Sequence, residues 1–109
     1  LCWHHVVPEM NHNELVGWRT EDPKLAVLFF RNHDDFPRNQ SRIELNKEII
    51  NHFTGSLIEV FSVGDSLVEK AFYFTHLGDY VSCFLADLRG VDPIEIKVID
   101  YLKDELSKV

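Results

Sequence analysis

Cysteine is scarce in this sequence, which excludes a disulfide framework as the basis of the fold. Cys2 and Cys83 lie far apart with no CxxC partner and read as buried, reduced thiols in a cytoplasmic protein. Basic residues are also few: 11 Lys and Arg stand against 18 Asp and Glu, for a formal net charge of −7. They are scattered, so there is no basic stripe for a nucleic-acid backbone or an anionic membrane, and neither partner is expected. No apolar run approaches the roughly 20 residues needed to span a bilayer. No basic region leads into an apolar segment at the N-terminus, so the protein reads as soluble and unexported. Repeats, low-complexity tracts and flexible linkers are missing as well. The sequence opens at Leu1, without Met and inside an apolar block, and reads as the C-terminal part of something longer.

What is present is a globular composition. Apolar residues make up 45% of 109, enough for one small domain around a single core. Residues 3–7, WHHVV, are bulky and β-branched and end at Pro8, which predicts a short buried strand. Residues 11–18 then begin a short helix, halted near Thr20 by the polar run to Pro23. KLAVLFFR, residues 24–31, is too short for a typical helix and suits a central parallel strand covered on both faces. A polar loop follows over residues 32–39. Residues 42–53 carry Leu45, Ile49 and Phe53 in one row with Ile43 and Ile50 beside it, predicting an amphipathic helix that stops before Gly55. Residues 57–63 predict a second strand, and the order implies a right-handed βαβ unit in a parallel sheet.

Residues 66–89 form the longest helical pattern, apolar along Leu67, Ala71, Phe74 and Leu85 and again along Val68, Phe72 and Cys83. A helix apolar on several faces is buried on several faces. A chain this small cannot cover it, so it is expected to pack against further sequence or a second subunit, with residues 80–84 in contact. Gly90 suits the C′ position, Asp92 the next N-cap, Pro93 the first turn and Glu95 a capping box. On the final helix Ile96, Ile99, Leu102 and Leu106 form the apolar stripe, and Lys103 projects between Ile96 and Ile99.

The densest chemistry lies in residues 8–18, PEMNHNELVGW, which place Glu9, His12 and Glu14 between apolar blocks. His12 is expected where the chain leaves a strand and enters a helix, a common position for a site. Imidazole exchanges protons near neutrality, which suits acid/base work on a sugar or carbonyl substrate. The same string also fits a helix cap, with Asn11 or Asn13 accepting from backbone N–H groups. Lys103 is either a side chain snorkelling to water or a functional cation sensitive to desolvation. His4 and His5 face opposite sides of a strand with no third ligand, which argues against a metal site. His33, Asp34 and Asp35 look like a hard-ligand cluster but fall in a polar loop and read as solvated surface. The turn over residues 64–66, GDS, offers backbone N–H groups to an anion, on a short and common pattern.

PEMNHNELVGW resembles the central motif of the bifunctional phosphoglucose/phosphomannose isomerases, a branch of the sugar isomerase (SIS) proteins. Residues 78–93, GDYVSCFLADLRGVDP, are similar to the family's penultimate helix and the turn after it, and residues 99–106, IDYLKDEL, to its terminal helix. Family members tend to carry His-Pro-Arg where this chain has Phe36, Pro37 and Arg38, with Arg42 following in the family manner. That departure removes the basis for a role at Phe36.

The resemblance implies an α/β fold: the C-terminal portion of a SIS (flavodoxin-like) parallel sheet with flanking helices, ending in two helices, with residues 1–109 a C-terminal fragment of an isomerase SIS domain. It implies isomerisation of glucose 6-phosphate and fructose 6-phosphate through an enediol, with mannose 6-phosphate as a further substrate. No cofactor or metal is required, and the implied assembly is a homodimer with a shared active site. On this reading His12 holds the position of the histidine that assists ring opening and reaches the neighbouring subunit's site, and Lys103 matches the terminal-helix lysine beside the substrate. Glu9, Asn11, Asn13 and Glu14 hold the motif and orient His12. The glutamate base and the phosphate loop of the family lie upstream of Leu1, so the fragment alone is expected to be inactive. A non-catalytic SIS module that senses a sugar phosphate is the alternative, because the fold serves both roles.

Overall fold

The computed structural model describes residues 2–7 and 9–108. It divides into two compact units, Leu1–Ala71 and Phe72–Val109. The chain is α/β, and among the described residues it has a two-stranded parallel sheet and three α-helices, two of them last in order.

The sheet belongs to the first unit. Strand β1 (Asp22–Arg31) runs parallel to β2 (Thr54–Phe61), with Phe29 opposite Glu59 and Arg31 opposite Phe61. Val27, Phe29 and Arg31 alternate with Leu28 and Phe30, so the first set turns toward the core and the second outward. The cover predicted for both faces is found on one: Phe30 is 51% exposed. The physical reason is the single crossover helix, α1 (Pro37–Ile50), which can lie on only one side.

The register breaks between Asp22 and Ala26, where Pro23 has no N–H to give the ladder. Here the two strands come so close that a Cβ on Gly55 would sit 2.0 Å from the Pro23 carbonyl oxygen. Gly55 therefore serves β2 rather than stopping the preceding helix, which ends at Ile50. That helix also starts earlier than the apolar pattern predicts, because Pro37 takes its first turn. Its buried side is Ile43, Asn46 and Ile50, whereas Leu45 and Ile49 are exposed. The inward row is the one that meets the sheet, and the polar Asn46 within it hides it from a count of apolar residues. Met10, Phe29, Ile43 and Ile50 make the core, with Val7, Leu15, Trp18, Val27 and Leu57 packed around it.

Beside this core, the buried Arg31 donates to Glu44 and, at 2.5 Å, to Glu59. Lys47 joins the same two carboxylates, 2.8 Å from Glu44. Hydrogen bonds from Lys47 and then Arg31 hold both carboxyl groups below their usual pKa. The network ties α1 to both strands, and Arg31 also lies over the Phe61 ring, 5.3 Å from its centroid.

The strand predicted over residues 3–7 does not form. Neither β1 nor β2 pairs with it, and without a ladder the segment is irregular, with Trp3 and Val6 exposed. Pro8, read as its end, lies outside the described residues.

Helix α2 (Leu67–Arg89) begins on a capping box. Ser66 Oγ accepts from the Glu69 N–H at 3.2 Å, while Glu69 Oε2 accepts from the Ser66 N–H at 2.8 Å. The helix ends at Gly90 as the sequence predicts: φ is +63°, the Val91 N–H donates to Ala86 at 2.9 Å and the Gly90 N–H to Asp87 at 3.0 Å. No residue of α2 is buried, and Phe72 is 70% and Leu88 81% exposed. Both cysteines, expected to be buried, are free and exposed, Cys2 in the irregular first segment and Cys83 on this helix.

Helix α3 (Lys97–Leu106) starts later than Asp92. Asp92 Oδ1 instead accepts from the Ile94 N–H at 2.9 Å, closing a turn at Pro93, and the Glu95 carboxylate accepts from the Lys97 N–H at 2.6 Å. Among the described residues, no helix is long and apolar enough to cross a membrane.

Candidate active site around His12

His12 sits between two single turns of 3-10 helix, Glu9–Asn11 and Leu15–Gly17. The predicted passage from strand into α-helix is replaced by tight turns: Met10 N–H donates to Val6 at 3.0 Å, His12 N–H to Glu9 at 3.1 Å and Gly17 N–H to Glu14 at 2.9 Å. Such turns satisfy the backbone of a segment too short and polar to sustain an α-helix. Met10 is buried in the core, and Leu15 and Trp18 pack against it. Apolar anchors thus flank a polar string, and His12 and Asn13 between them are exposed.

Side chains then fix the string. Asn11 Nδ2 donates to Asn46 Oδ1 at 2.7 Å, and Asn46 Nδ2 donates back to Asn11 Oδ1 at 3.4 Å. Asn13 Oδ1 lies 3.0 Å from His12 Nδ1. In the tautomer that carries its proton on Nδ1, the His12 ring donates to that amide oxygen. Neither asparagine caps a helix, because each spends its amide within this arrangement. Glu14 Oε1 lies 3.4 Å from His5 Nδ1, tying the motif to the segment before it. Its Oε2 is buried with no hydrogen-bond partner among the described residues. Glu9 contributes its backbone carbonyl, and its side chain is exposed.

Asn46 is the member that sequence reasoning misses. Its signal is legible in retrospect: it lies on one helical row with Ile43 and Ile50, where a fully buried polar side chain requires a specific partner.

Lys103 stands on α3, in the other compact unit, and is exposed. The ion pairs nearest to it in sequence are those of Lys108 with Asp104 and Glu105, and Lys103 makes none among the described residues.

The remaining candidates are occupied structurally. Lys70 Nζ donates to both oxygens of Asp34 at 2.7 Å, and the His33 ring stacks on Phe61 with centroids 4.4 Å apart. Asp35 accepts from the Asn32 N–H at 2.9 Å. These loops border an open depression of about 310 Å³ beyond the carboxyl ends of both strands, with Ser62 and Asp65 on its wall. The turn expected to greet an anion is closed by the chain's own carboxylate, since Asp65 and Ser66 N–H groups both donate to Glu69 Oε2 at 2.8 Å. Among the described residues, no group of three His, Cys, Asp or Glu could hold a metal ion.

Residues 1–106 match the family model described as bacterial phospho-glucose isomerase C-terminal SIS domain. The chain belongs to that family. This SIS domain is 36% identical over 105 residues to the bifunctional phosphoglucose/phosphomannose isomerase of Aquifex aeolicus, an alignment covering 94% of this chain and 33% of that protein. The protein of the same name from Caldicellulosiruptor bescii is 35% identical over 113 residues, with 99% of this chain and 33% of the relative covered. That of Thermoplasma volcanium is 34% identical over 108 residues, covering 98% and 34%. The SIS domain therefore spans about one third of the length of these curated relatives, which are sugar-phosphate isomerases. No solved structure matches it.

Proposed function

We propose that this SIS domain is the C-terminal part of an isomerase that interconverts glucose 6-phosphate and fructose 6-phosphate through an enediol, with mannose 6-phosphate as a further substrate. The observation that carries the reading is His12, exposed on a turn anchored to the core, in a chain whose relatives are named for both activities. Isomerisation of a cyclic hexose phosphate requires ring opening, proton transfer between C1 and C2, and stabilisation of the enediolate. His12 serves the first step: Nε2 takes the proton of the C1 hydroxyl as the C1–O5 bond breaks, and the ring oxygen gains a proton in exchange. Lys103 serves the last, as a cation beside the developing negative charge. Asn11, Asn13, Glu9 and Glu14 support the turn.

The base and the phosphate ligands come from the rest of the enzyme. The exposed apolar side chains of α2 and the outward face of the sheet are surfaces for that remainder and for the second subunit of a cytoplasmic homodimer with a shared site. The 109-residue chain alone has no isomerase activity on this reading.

The test is His12→Ala in the full-length enzyme, assayed with cyclic sugar phosphate and with an open-chain analogue. A large loss confined to the cyclic substrate is expected. Equal losses on both would remove His12 from ring opening.

A further inference from the structure

The reciprocal amide pair between Asn46 and Asn11 gives α1 a direct hold on the turn that carries His12. Asn46 is 0% exposed, and its partner lies 35 residues away in sequence, immediately before His12. A fully buried amide is costly to leave unpaired, so the pair has one satisfied geometry, with Asn11 Nδ2 at 2.7 Å from Asn46 Oδ1 and the return contact at 3.4 Å. An apolar residue at this position would fill the same row as Ile43 and Ile50 and pack as well, but would impose no register on the turn. The helix that bears Asn46 is held to both strands through Arg31, Glu44, Lys47 and Glu59. His12 itself has few restraints: its amide reaches Glu9 at 3.1 Å and its ring reaches Asn13 at 3.0 Å, both within its own turn.

We propose that Asn46 is a positioning residue for the isomerase reaction, fixing through Asn11 where the His12 imidazole meets the sugar. The proposal rests on the ring-opening role of His12 given above. Misplacement of a reacting group by about an ångström costs on the order of 10²-fold in rate. In the full-length enzyme, Asn46→Leu should therefore lower turnover of the cyclic substrate roughly 10- to 100-fold and leave turnover of an open-chain analogue nearly unchanged.

A double-mutant cycle separates positioning from packing. Added to His12→Ala, Asn46→Leu should cost little further activity, because the group it positions is gone. The same fold-loss in both backgrounds, or no loss in either, would overturn the proposal. If His12→Ala alone spares the cyclic reaction, the ring-opening reading fails instead, and the cycle makes that visible by itself. Should Asn46→Leu not fold, Asn11→Ala breaks the same pair from its half-buried end and enters the same cycle with the same expected outcome.

Discussion

Replacing Glu59 with Gln tests the charge network that holds α1, and with it Asn46, against the sheet. The substitution keeps the shape and one acceptor oxygen but removes the charge that faces Arg31 and Lys47. The Arg31 side chain is 7% exposed and that of Glu59 26%, so neither is fully screened by water. Loss of one partner of a buried pair costs about 3–5 kcal/mol, and a charged hydrogen bond contributes about 1.5–3. Glu44 remains to compensate both cations, which lowers the expected cost to about 1–2 kcal/mol. For a domain of this size that is a fall in Tm of about 5–15 °C, readable by circular dichroism at neutral pH.

The pH dependence carries the sharper signature. Hydrogen bonds from Lys47 and then Arg31 lower the folded-state pKa of Glu59. Its contribution is therefore complete above the unfolded carboxylate value, near pH 4 to 5, and disappears as pH falls through the depressed folded value. Parent and variant should differ most at neutral pH and converge in acid, once Glu59 is protonated in both. An equal gap in stability at neutral and acid pH would mean that Gln disturbs packing, and would refute the electrostatic account.

Lys103→Met in the full-length enzyme should leave the melting temperature and assembly unchanged while lowering kcat by on the order of 10²-fold; turnover within a few-fold of the parent would withdraw Lys103 from the site. Gly55→Ala should destabilise the chain by several kcal/mol, since its Cβ would meet the backbone oxygen of Pro23 at 2.0 Å, where no flexible side chain can move aside. A denaturation midpoint equal to the parent's would show that the strand entrance adjusts freely.

The sequence makes visible what local pattern controls. The apolar run at residues 24–31, the long helix ending at Gly90 and the parallel order of two strands around a helix all follow from periodicity and termination signals. Features set by distant partners are hidden from it. The segment at residues 3–7 has strand-like composition but no neighbouring strand to pair with. Local competition hides another feature: Asp92 is a good N-cap in isolation, yet its carboxylate accepts from the Ile94 N–H two residues on and closes a turn at Pro93, and the helix waits for Lys97. Within the site, His12 stands out by residue type alone, whereas Asn46 is recognised only once α1 places it against Asn11.

The most direct test of the central claim is turnover of glucose 6-phosphate and mannose 6-phosphate, measured side by side for the full-length enzyme and the purified 109-residue chain. The full-length enzyme should isomerise both sugars and the chain alone neither. Turnover by the chain alone would contradict the assignment of the base to the rest of the enzyme, and tight binding without turnover by the full-length protein would make this SIS domain part of a sensor.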